Sequence, residues 1–191
     1  MTDTPYAELQ VTSHFSFLRG ASSAQELFQT AKILGIEALG VVDRNSLAGI
    51  VRALEASRAT GVRLVVGCRL DLADGMSLLV YPIDRPAYSR LTRLITLGKS
   101  RGGKNNCILH WDDVIAYSEG MVGILVPDLP DDLCAIQLRK MAEAFGDRAY
   151  VSLYLRRRPN DQLRLHEISN MAARFKVRTV VTNDVLFHEP G

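Results

Sequence analysis

Short apolar runs alternate with amphipathic stretches along most of the chain. We expect seven strands, at Ala7–Val11, Ala38–Val42, Leu64–Cys68, Leu78–Tyr81, Val122–Val126, Ala149–Leu153 and Thr179–Val181. Several of these runs are continuously apolar, which is typical of strands that are buried on both faces. Most are followed by a stretch with the helical spacing of apolar positions. This order predicts an α/β fold with a largely parallel sheet covered by helices, and a small α/β barrel if the sheet closes.

Local signals predict where helices begin and where one loop lies. Ser23 and Glu26 have the spacing of a capping box, so a helix is expected to start there. After Lys99, residues 100–106 are polar, contain two glycines and show no periodicity. We expect this segment to form a flexible loop.

The composition is that of an ordinary soluble globular protein. The 191 residues are 47% hydrophobic and 23% charged, which fits one domain with a sizeable core. Twenty-three Lys and Arg against 21 Asp and Glu leave a formal charge of +2, so an overall electrostatic attraction to nucleic acid is not indicated. The three widely spaced cysteines suggest neither a disulfide framework nor a zinc site. With no apolar leader and no run long enough to span a membrane, a cytoplasmic location is expected.

Polar side chains near the ends of the predicted strands are the candidates for chemistry, because sites in parallel α/β proteins collect at the carboxyl ends of strands. The residues in question are Gln10, Thr12, Asp43, Arg44, Arg69, Asp184 and Leu186. A metal hydrolase of this design needs several imidazole and carboxylate ligands that converge on its ions. The set contains two carboxylates and no histidine.

Four segments resemble the successive motifs of the polymerase and histidinol phosphatase (PHP) domain. They are residues 7–22, 40–49, 64–70 and 180–188, which read AELQVTSHFSFLRGAS, GVVDRNSLAG, LVVGCRL and VVTNDVLFH. More narrowly, they resemble the PHP domain at the N-terminus of the bacterial error-prone polymerases of the C family, which are relatives of the polymerase III alpha subunit. The resemblance implies a distorted seven-stranded (β/α) barrel that forms a single domain over residues 1–191. It also implies an N-terminal fragment of a longer polymerase, whose palm, fingers and thumb lie outside this chain.

The departures from the family pattern concern its metal ligands. Active members of the family open with a His-x-His pair and carry further His and Glu ligands, and most of these positions are substituted here. The substituted positions are Gln10, Thr12, Arg44, Arg69 and Leu186, with two further histidine positions that fall near Ser77 and Arg156. Only Asp43 and Asp184 remain as credible ligands. Two carboxylates are too few for a centre of two or three metal ions, and arginine does not coordinate metals.

Two hypotheses follow from the arginines at these positions. In the first, Arg44 and Arg69 pair with Asp43 and Asp184 and so replace the lost cations electrostatically. In the second, the arginines outnumber the carboxylates and hold a phosphate or sulfate ion. Basic residues elsewhere are candidate contacts for the DNA backbone, namely Arg156, Arg157, Arg158, Lys99, Arg101 and Lys104.

The resemblance implies a noncatalytic scaffold domain of an error-prone, translesion-type DNA polymerase that acts in damage tolerance and replication. The implied partners are the remainder of the polymerase chain, DNA through the parent protein, damage-response accessory proteins and the sliding clamp, with no membrane. Mg²⁺ would serve the parent's polymerase domain, and no cofactor is expected in this fragment. One alternative is a metal-dependent phosphoesterase or 3′–5′ exonuclease that uses Asp43 and Asp184 in a reduced metal site. Another is a protein-interaction module that docks replication or repair subunits.

Overall fold

The computed structural model describes residues 6–104 and 106–189. This part of the chain divides into two compact units. The first contains the residues up to Arg69 and those from Asn183 onward, and the second contains Leu70–Thr182. The extent of one PHP domain over residues 1–191 stays a prediction.

The first unit is built on a parallel sheet of three strands in the order β1-β2-β3. Strands β1 (Ala7–Val11), β2 (Ala38–Val41) and β3 (Arg63–Val66) alternate with helices α1 (Ala24–Ile33) and α2 (Ile50–Thr60). The predicted alternation of strands and helices is confirmed here. The helices and strands share one apolar core, made of Val11, Ala24, Leu27, Phe28, Ala31, Leu39, Val41, Ala53, Ala56 and Val62.

Helix α1 begins at the capping box that the sequence predicts. The side chain of Ser23 accepts a hydrogen bond from the Glu26 N–H at 3.3 Å, and the Ser23 N–H donates to Glu26 Oε2 at 2.7 Å. These bonds satisfy backbone donors that a helix start would otherwise leave open. Leu27, Phe28 and Ala31 are buried on one face of the helix. The polar start and the apolar face together determine where the helix begins and which side packs on the sheet.

A segment from the C-terminal part of the chain pairs with β1 on the edge opposite β2. The Val185 N–H donates to the Gln10 carbonyl at 2.8 Å, and the Thr12 N–H donates to the Val185 carbonyl at 2.9 Å. The two strands form an isolated parallel bridge between Val11 and Val185. This pairing places Asp184 beside the end of β1.

The second unit contains a five-stranded sheet in the order β4-β5-β6-β7-β8. The strands are β4 (Cys68–Asp71), whose first two residues belong to the first unit, β5 (Ser77–Pro82), β6 (Met121–Leu125), β7 (Ala149–Leu153) and β8 (Arg178–Val181). The helices are α3 (Arg85–Gly102), α4 (Trp111–Tyr117), α5 (Asp132–Phe145) and α6 (Asp161–Arg174). Strand β6 is antiparallel to β5 and parallel to β7, and β7 is parallel to β8.

The strands differ from the predicted set in number and in direction. Eight strands in two sheets are present among the described residues, and the seven-stranded barrel is not confirmed. The eighth strand arises because the predicted run Leu64–Cys68 is interrupted at Gly67, and its two parts join different sheets as β3 and β4. The expected largely parallel sheet is mixed in the second unit, because β5 and β6 pair in antiparallel fashion.

Helix α3 continues past the point at which the sequence predicts a loop. It includes Lys99 and ends at Gly102, so the prediction is wrong for the first residues of the segment 100–106, and residue 105 lies outside the described residues. A bidentate pair helps to hold the last turn, in which Arg101 donates to Asp113 at 2.5 and 3.0 Å.

The close packing of α3 on the following segment depends on Gly98. A Cβ atom at this position would lie 2.5 Å from Cys107 Sγ and 2.7 Å from Leu109 Cγ. The Gly98 carbonyl also accepts a hydrogen bond from the Ile108 N–H at 2.9 Å. The segment after the helix therefore returns directly along its last turns.

Candidate functional site

Three of the predicted site residues come together at the end of β1. Gln10 is fully buried, and its Nε2 donates a hydrogen bond to Asp184 Oδ1 at 2.7 Å. Arg69 Nη1 lies 3.7 Å from the same oxygen, with both side chains largely shielded from solvent. The predicted pairing of Arg69 with Asp184 is therefore present in the structure. Since the amide and the guanidinium share Oδ1, they hold the carboxylate from two directions.

The second carboxylate, Asp43, is held by serines of the loop that follows β1. Oδ1 accepts hydrogen bonds from the Ser13 N–H at 2.9 Å and from Ser16 Oγ at 2.7 Å, and Oδ2 accepts one from Ser13 Oγ at 2.8 Å. Asp43 is only 2% exposed. Burial raises the pKa of its carboxyl, and the hydrogen bonds from Ser16 and Ser13 lower it in part.

The hypothesis that Arg44 neutralises Asp43 by direct pairing is wrong for the described residues, because Asp43 is bound by Ser13 and Ser16 instead. Arg44 joins the same arrangement through its backbone, since its N–H donates to Ser16 Oγ at 3.0 Å. The backbone of Arg44 also forms an isolated parallel β-bridge with that of Arg69. Ser16 Oγ thus accepts a hydrogen bond from the Arg44 N–H and donates one to Asp43. These two bonds link the loop to the end of β2.

Thr12 and Leu186 take part through their backbones. Thr12 is 1% exposed, and its N–H is used in the pairing with Val185. The Leu186 carbonyl accepts a hydrogen bond from the Ala21 N–H at 2.9 Å. Both residues therefore hold the strand-end segment and the loop after β1 in place.

The residues present do not fit a metal centre of the PHP type. No group of three or more His, Cys, Asp or Glu side chains that could hold an ion occurs in the part of the chain that the structure describes. All the oxygens of Asp43 are engaged by hydroxyl and amide donors, and Asp184 shares its oxygen between an amide and a guanidinium. Metal ions of this kind need several oxygen or imidazole lone pairs that converge at about 2 Å, and the described residues offer no such group.

The two remaining substituted positions lie in the second unit and have contacts of their own. Ser77 Oγ donates to Asp71 Oδ1 at 2.6 Å. Arg156 donates to the Tyr154 hydroxyl at 2.8 Å and to the Pro127 carbonyl at 3.0 Å, and it forms an ion pair with Asp128. Arg156 is thus bound within the protein.

The other predicted DNA contacts lie on the surface. Arg157 and Arg158 are exposed in the loop before α6, and Lys99, Arg101 and Lys104 are exposed at the end of α3. Of these, Arg101 is engaged by Asp113. All five residues belong to the second unit.

Ser13 and Ser16 are contacts that sequence reasoning missed, although a serine-rich loop directly after a strand was a visible signal. Another missed residue is Glu8, which is 2% exposed on β1. Glu8 Oε2 accepts hydrogen bonds from the Tyr6 hydroxyl at 2.8 Å and from Asn183 Nδ2 at 3.0 Å. Burial and this carboxylate raise the pKa of Tyr6. Glu8 thereby adds a second polar link between β1 and the segment that begins at Asn183.

Sequence comparison assigns the chain to a family. The sequence model of the PHP domain matches residues 8–168. The chain belongs to the PHP domain family. The predicted resemblance is therefore confirmed, and it extends beyond the motif segments to most of the chain.

Curated relatives with this domain are named as error-prone DNA polymerases. Error-prone DNA polymerase 3 of Agrobacterium fabrum is 90% identical over 186 residues, which are 97% of this chain and 17% of that protein. The error-prone DNA polymerase of Caulobacter vibrioides is 46% identical over 187 residues, again 97% of this chain and 17% of the relative. The PHP chain described here thus spans about one sixth of the length of these relatives.

Solved structures with low sequence identity share the fold. A Bifidobacterium adolescentis protein named as a metal-dependent phosphoesterase has a TM-score of 0.74 at 14% identity, with 97% of this chain and 88% of that chain covered. An amidohydrolase from Chromobacterium violaceum, solved with bound sulfate and no metal, has a TM-score of 0.69 at 14% identity, with 95% and 87% covered. The lesion-specific endonuclease EndoQ from Pyrococcus furiosus has a TM-score of 0.67 at 12% identity, with 96% and 49% covered. These likenesses support a PHP-like α/β fold.

Among the described residues, no helix is long and apolar enough to cross a membrane.

Proposed function

We propose that this chain is the PHP domain of a bacterial error-prone DNA polymerase and that it serves there as a noncatalytic platform for the polymerase body. The observation that carries the noncatalytic role is the state of the two carboxylates at the family's ligand positions. Asp43 is bound by serines of the loop after β1, and Asp184 is bound by Gln10 and Arg69. Both charges are therefore stabilised by the protein itself.

The names of the relatives support the assignment to a DNA polymerase. A parent polymerase would carry out nucleotidyl transfer with Mg²⁺ held in a palm domain outside this chain. Its partners would be the remainder of its own chain, DNA, damage-response accessory proteins and the sliding clamp, and it would work in the cytoplasm. The fold likeness to PHP-like structures supports the further proposal that the strands close into the family's distorted barrel.

Metal titration of the full-length protein tests the noncatalytic role. We expect isothermal titration with Mn²⁺ or Zn²⁺ to give the same number of submicromolar sites for the wild type and for Asp184→Asn, because ions held in the palm are unaffected. Asp112→Asn, which changes an exposed carboxylate on α4, is the matched control. Loss of one tight site in Asp184→Asn alone would overturn the proposal.

Two further outcomes would replace the platform with another function. A 3′-labelled oligonucleotide degraded by the wild type, with activity that EDTA and Asp184→Asn both abolish, would establish the exonuclease or phosphoesterase alternative. A phosphate or sulfate ion bound with micromolar affinity, and lost in Arg69→Gln, would establish the anion site. For this second candidate, the specific observation is that Gln10 and Arg69, which are both donors, converge on one oxygen.

A further inference from the structure

The positive charge of the protein is concentrated in one segment. Residues 85–104, which are α3 and the two residues after it, contain six Lys and Arg and no Asp or Glu. The whole chain has 23 Lys and Arg against 21 Asp and Glu, so removal of these six leaves 17 against 21, a formal charge of −4. A net charge near zero therefore conceals a basic helix on an otherwise acidic protein.

Helix geometry places the unpaired cations of α3 on its solvent side. The apolar face of the helix is buried at Ala87, Leu91, Leu94, Ile95 and Gly98. With 100° per residue, Arg85 and Arg93 fall on the opposite side and Lys99 lies at the flank, about 100° from the centre of the buried face, and all three are exposed. We call these three residues the α3 cations.

The α3 cations have no acidic partner in the part of the chain that the structure describes, whereas their basic neighbours do. Arg90 lies 3.5 Å from Glu119, and Arg101 is bound bidentately by Asp113. The helix therefore retains three exposed positive charges after its ion pairs with Glu119 and Asp113 are formed.

Three hydroxyl groups on the same side of α3 donate hydrogen bonds to backbone carbonyls of the helix. Thr92 Oγ1 donates to the Ser89 carbonyl, Thr96 Oγ1 to the Thr92 carbonyl, and Ser100 Oγ to the Leu97 carbonyl, each at 2.8 Å. The guanidinium and ammonium groups are the charged donors that this face offers to a ligand. These cations are spread over about 21 Å of helix, from Arg85 to Lys99, which fits an extended polyanion.

We propose that the α3 cations bind the phosphate backbone of duplex DNA. The proposal rests on the assignment of the chain to a DNA polymerase, because that role selects DNA among the polyanions. The contact is sequence-independent, since arginine and lysine that reach phosphates carry no base information. It orients the domain on the duplex and adds to the binding of the parent protein.

The salt dependence of DNA binding by the full-length protein tests this contact. Each phosphate that is neutralised contributes about 0.9 to the slope of log Kobs against log salt concentration for duplex DNA. The combined change Arg85→Gln, Arg93→Gln and Lys99→Gln should therefore reduce the magnitude of that slope by about 2 to 3, as measured by fluorescence anisotropy with a labelled duplex.

The matched control removes three exposed cations from other helices, by Lys32→Gln, Arg58→Gln and Arg174→Gln. The control has the same net charge as the α3 variant and should keep the wild-type slope. An equal reduction in both variants, or an unchanged slope in the α3 variant, overturns the proposal. Binding to anionic phospholipid vesicles that the α3 variant loses, with an unchanged DNA slope, overturns it as well. Because the metal titration uses a different variant and readout, its failure and the failure of this contact are distinguishable.

Discussion

At the scale of single residues, Asp43 shows how hydrogen bonds from one loop hold a buried carboxylate. Two hydroxyl groups and one backbone N–H supply the three hydrogen bonds that it accepts. Hydrogen bonds to a charged group are worth more than those between neutral groups, and they offset part of the cost of burial. Asp184 instead accepts a hydrogen bond from the Gln10 amide and forms an ion pair with Arg69, and its side chain is partly exposed.

The substitution Asp43→Asn should destabilise the 191-residue chain by about 2–3 kcal/mol. The amide nitrogen of asparagine is a donor, so it would face a Ser13 or Ser16 donor where the carboxylate oxygen accepts a hydrogen bond. Urea unfolding followed by circular dichroism measures the difference. Asp112→Asn should change the free energy of unfolding by less than about 0.5 kcal/mol, because Asp112 is exposed. Equal effects of the two variants would contradict this account of Asp43.

The stability that Asp43 contributes should decrease as the pH rises. Burial is the largest influence on its carboxyl and raises the pKa above the ordinary value of 3.8. Between these two pKa values the folded state binds more protons than the unfolded state, so the free energy of unfolding falls with rising pH. Asp43→Asn lacks this titration. The difference in unfolding free energy between wild type and variant, measured from about pH 4 to pH 7, should therefore shrink as the pH rises, and a growing difference would refute the sign.

At the scale of secondary structure, α3 shows how one missing side chain sets the position of a helix. The backbone of Gly98 lies against Cys107 and Leu109, and the last turn is held by the pair of Arg101 with Asp113. The helix can therefore extend to Gly102 although its last residues have a loop-like sequence.

The substitution Gly98→Ala should destabilise the chain by about 1–3 kcal/mol, because the new methyl group would overlap Cys107 Sγ and the Leu109 side chain. In an exposed helix the same change would stabilise by about 1 kcal/mol, so the sign is diagnostic. Thr96→Ala on the exposed side of α3 is the control, with an expected effect between zero and a gain of about 0.5 kcal/mol. Thermal unfolding monitored by circular dichroism measures both variants. The Tm should fall for Gly98→Ala and should stay the same or rise slightly for Thr96→Ala.

The elements that the sequence predicted well depend on neighbouring residues. Ser23 and Glu26 are three positions apart, so the start of α1 was visible in the pattern alone. The strand-end rule likewise selected Gln10, Arg69 and Asp184 as residues that would meet. The end of α3 was not predictable in this way, because Arg101 finds Asp113 only after the chain has turned back. The serines that hold Asp43 were missed because they lie in the loop after β1, and the strand-end rule does not say which carboxylate a loop hydroxyl will reach.

At the scale of the whole molecule, fold and chemistry are only loosely linked. The PHP-like fold is retained at 14% identity to a protein named as a metal-dependent phosphoesterase, with a TM-score of 0.74. The carboxylates of this chain nevertheless serve its own loop and strand ends. Function in such a family therefore has to be argued from the site in each member, because the scaffold persists when the site changes.

Under the proposed noncatalytic role, the contacts of Asp184 constrain how a metal site could return. A histidine restored at position 10 would remove the amide that donates to Asp184 Oδ1, and a glutamate restored at position 69 would remove the arginine that pairs with the same oxygen. Each single change therefore removes a partner of Asp184, and the effects of changes at these contacting residues should not be additive. A return of ion binding would depend on several coupled substitutions rather than on one.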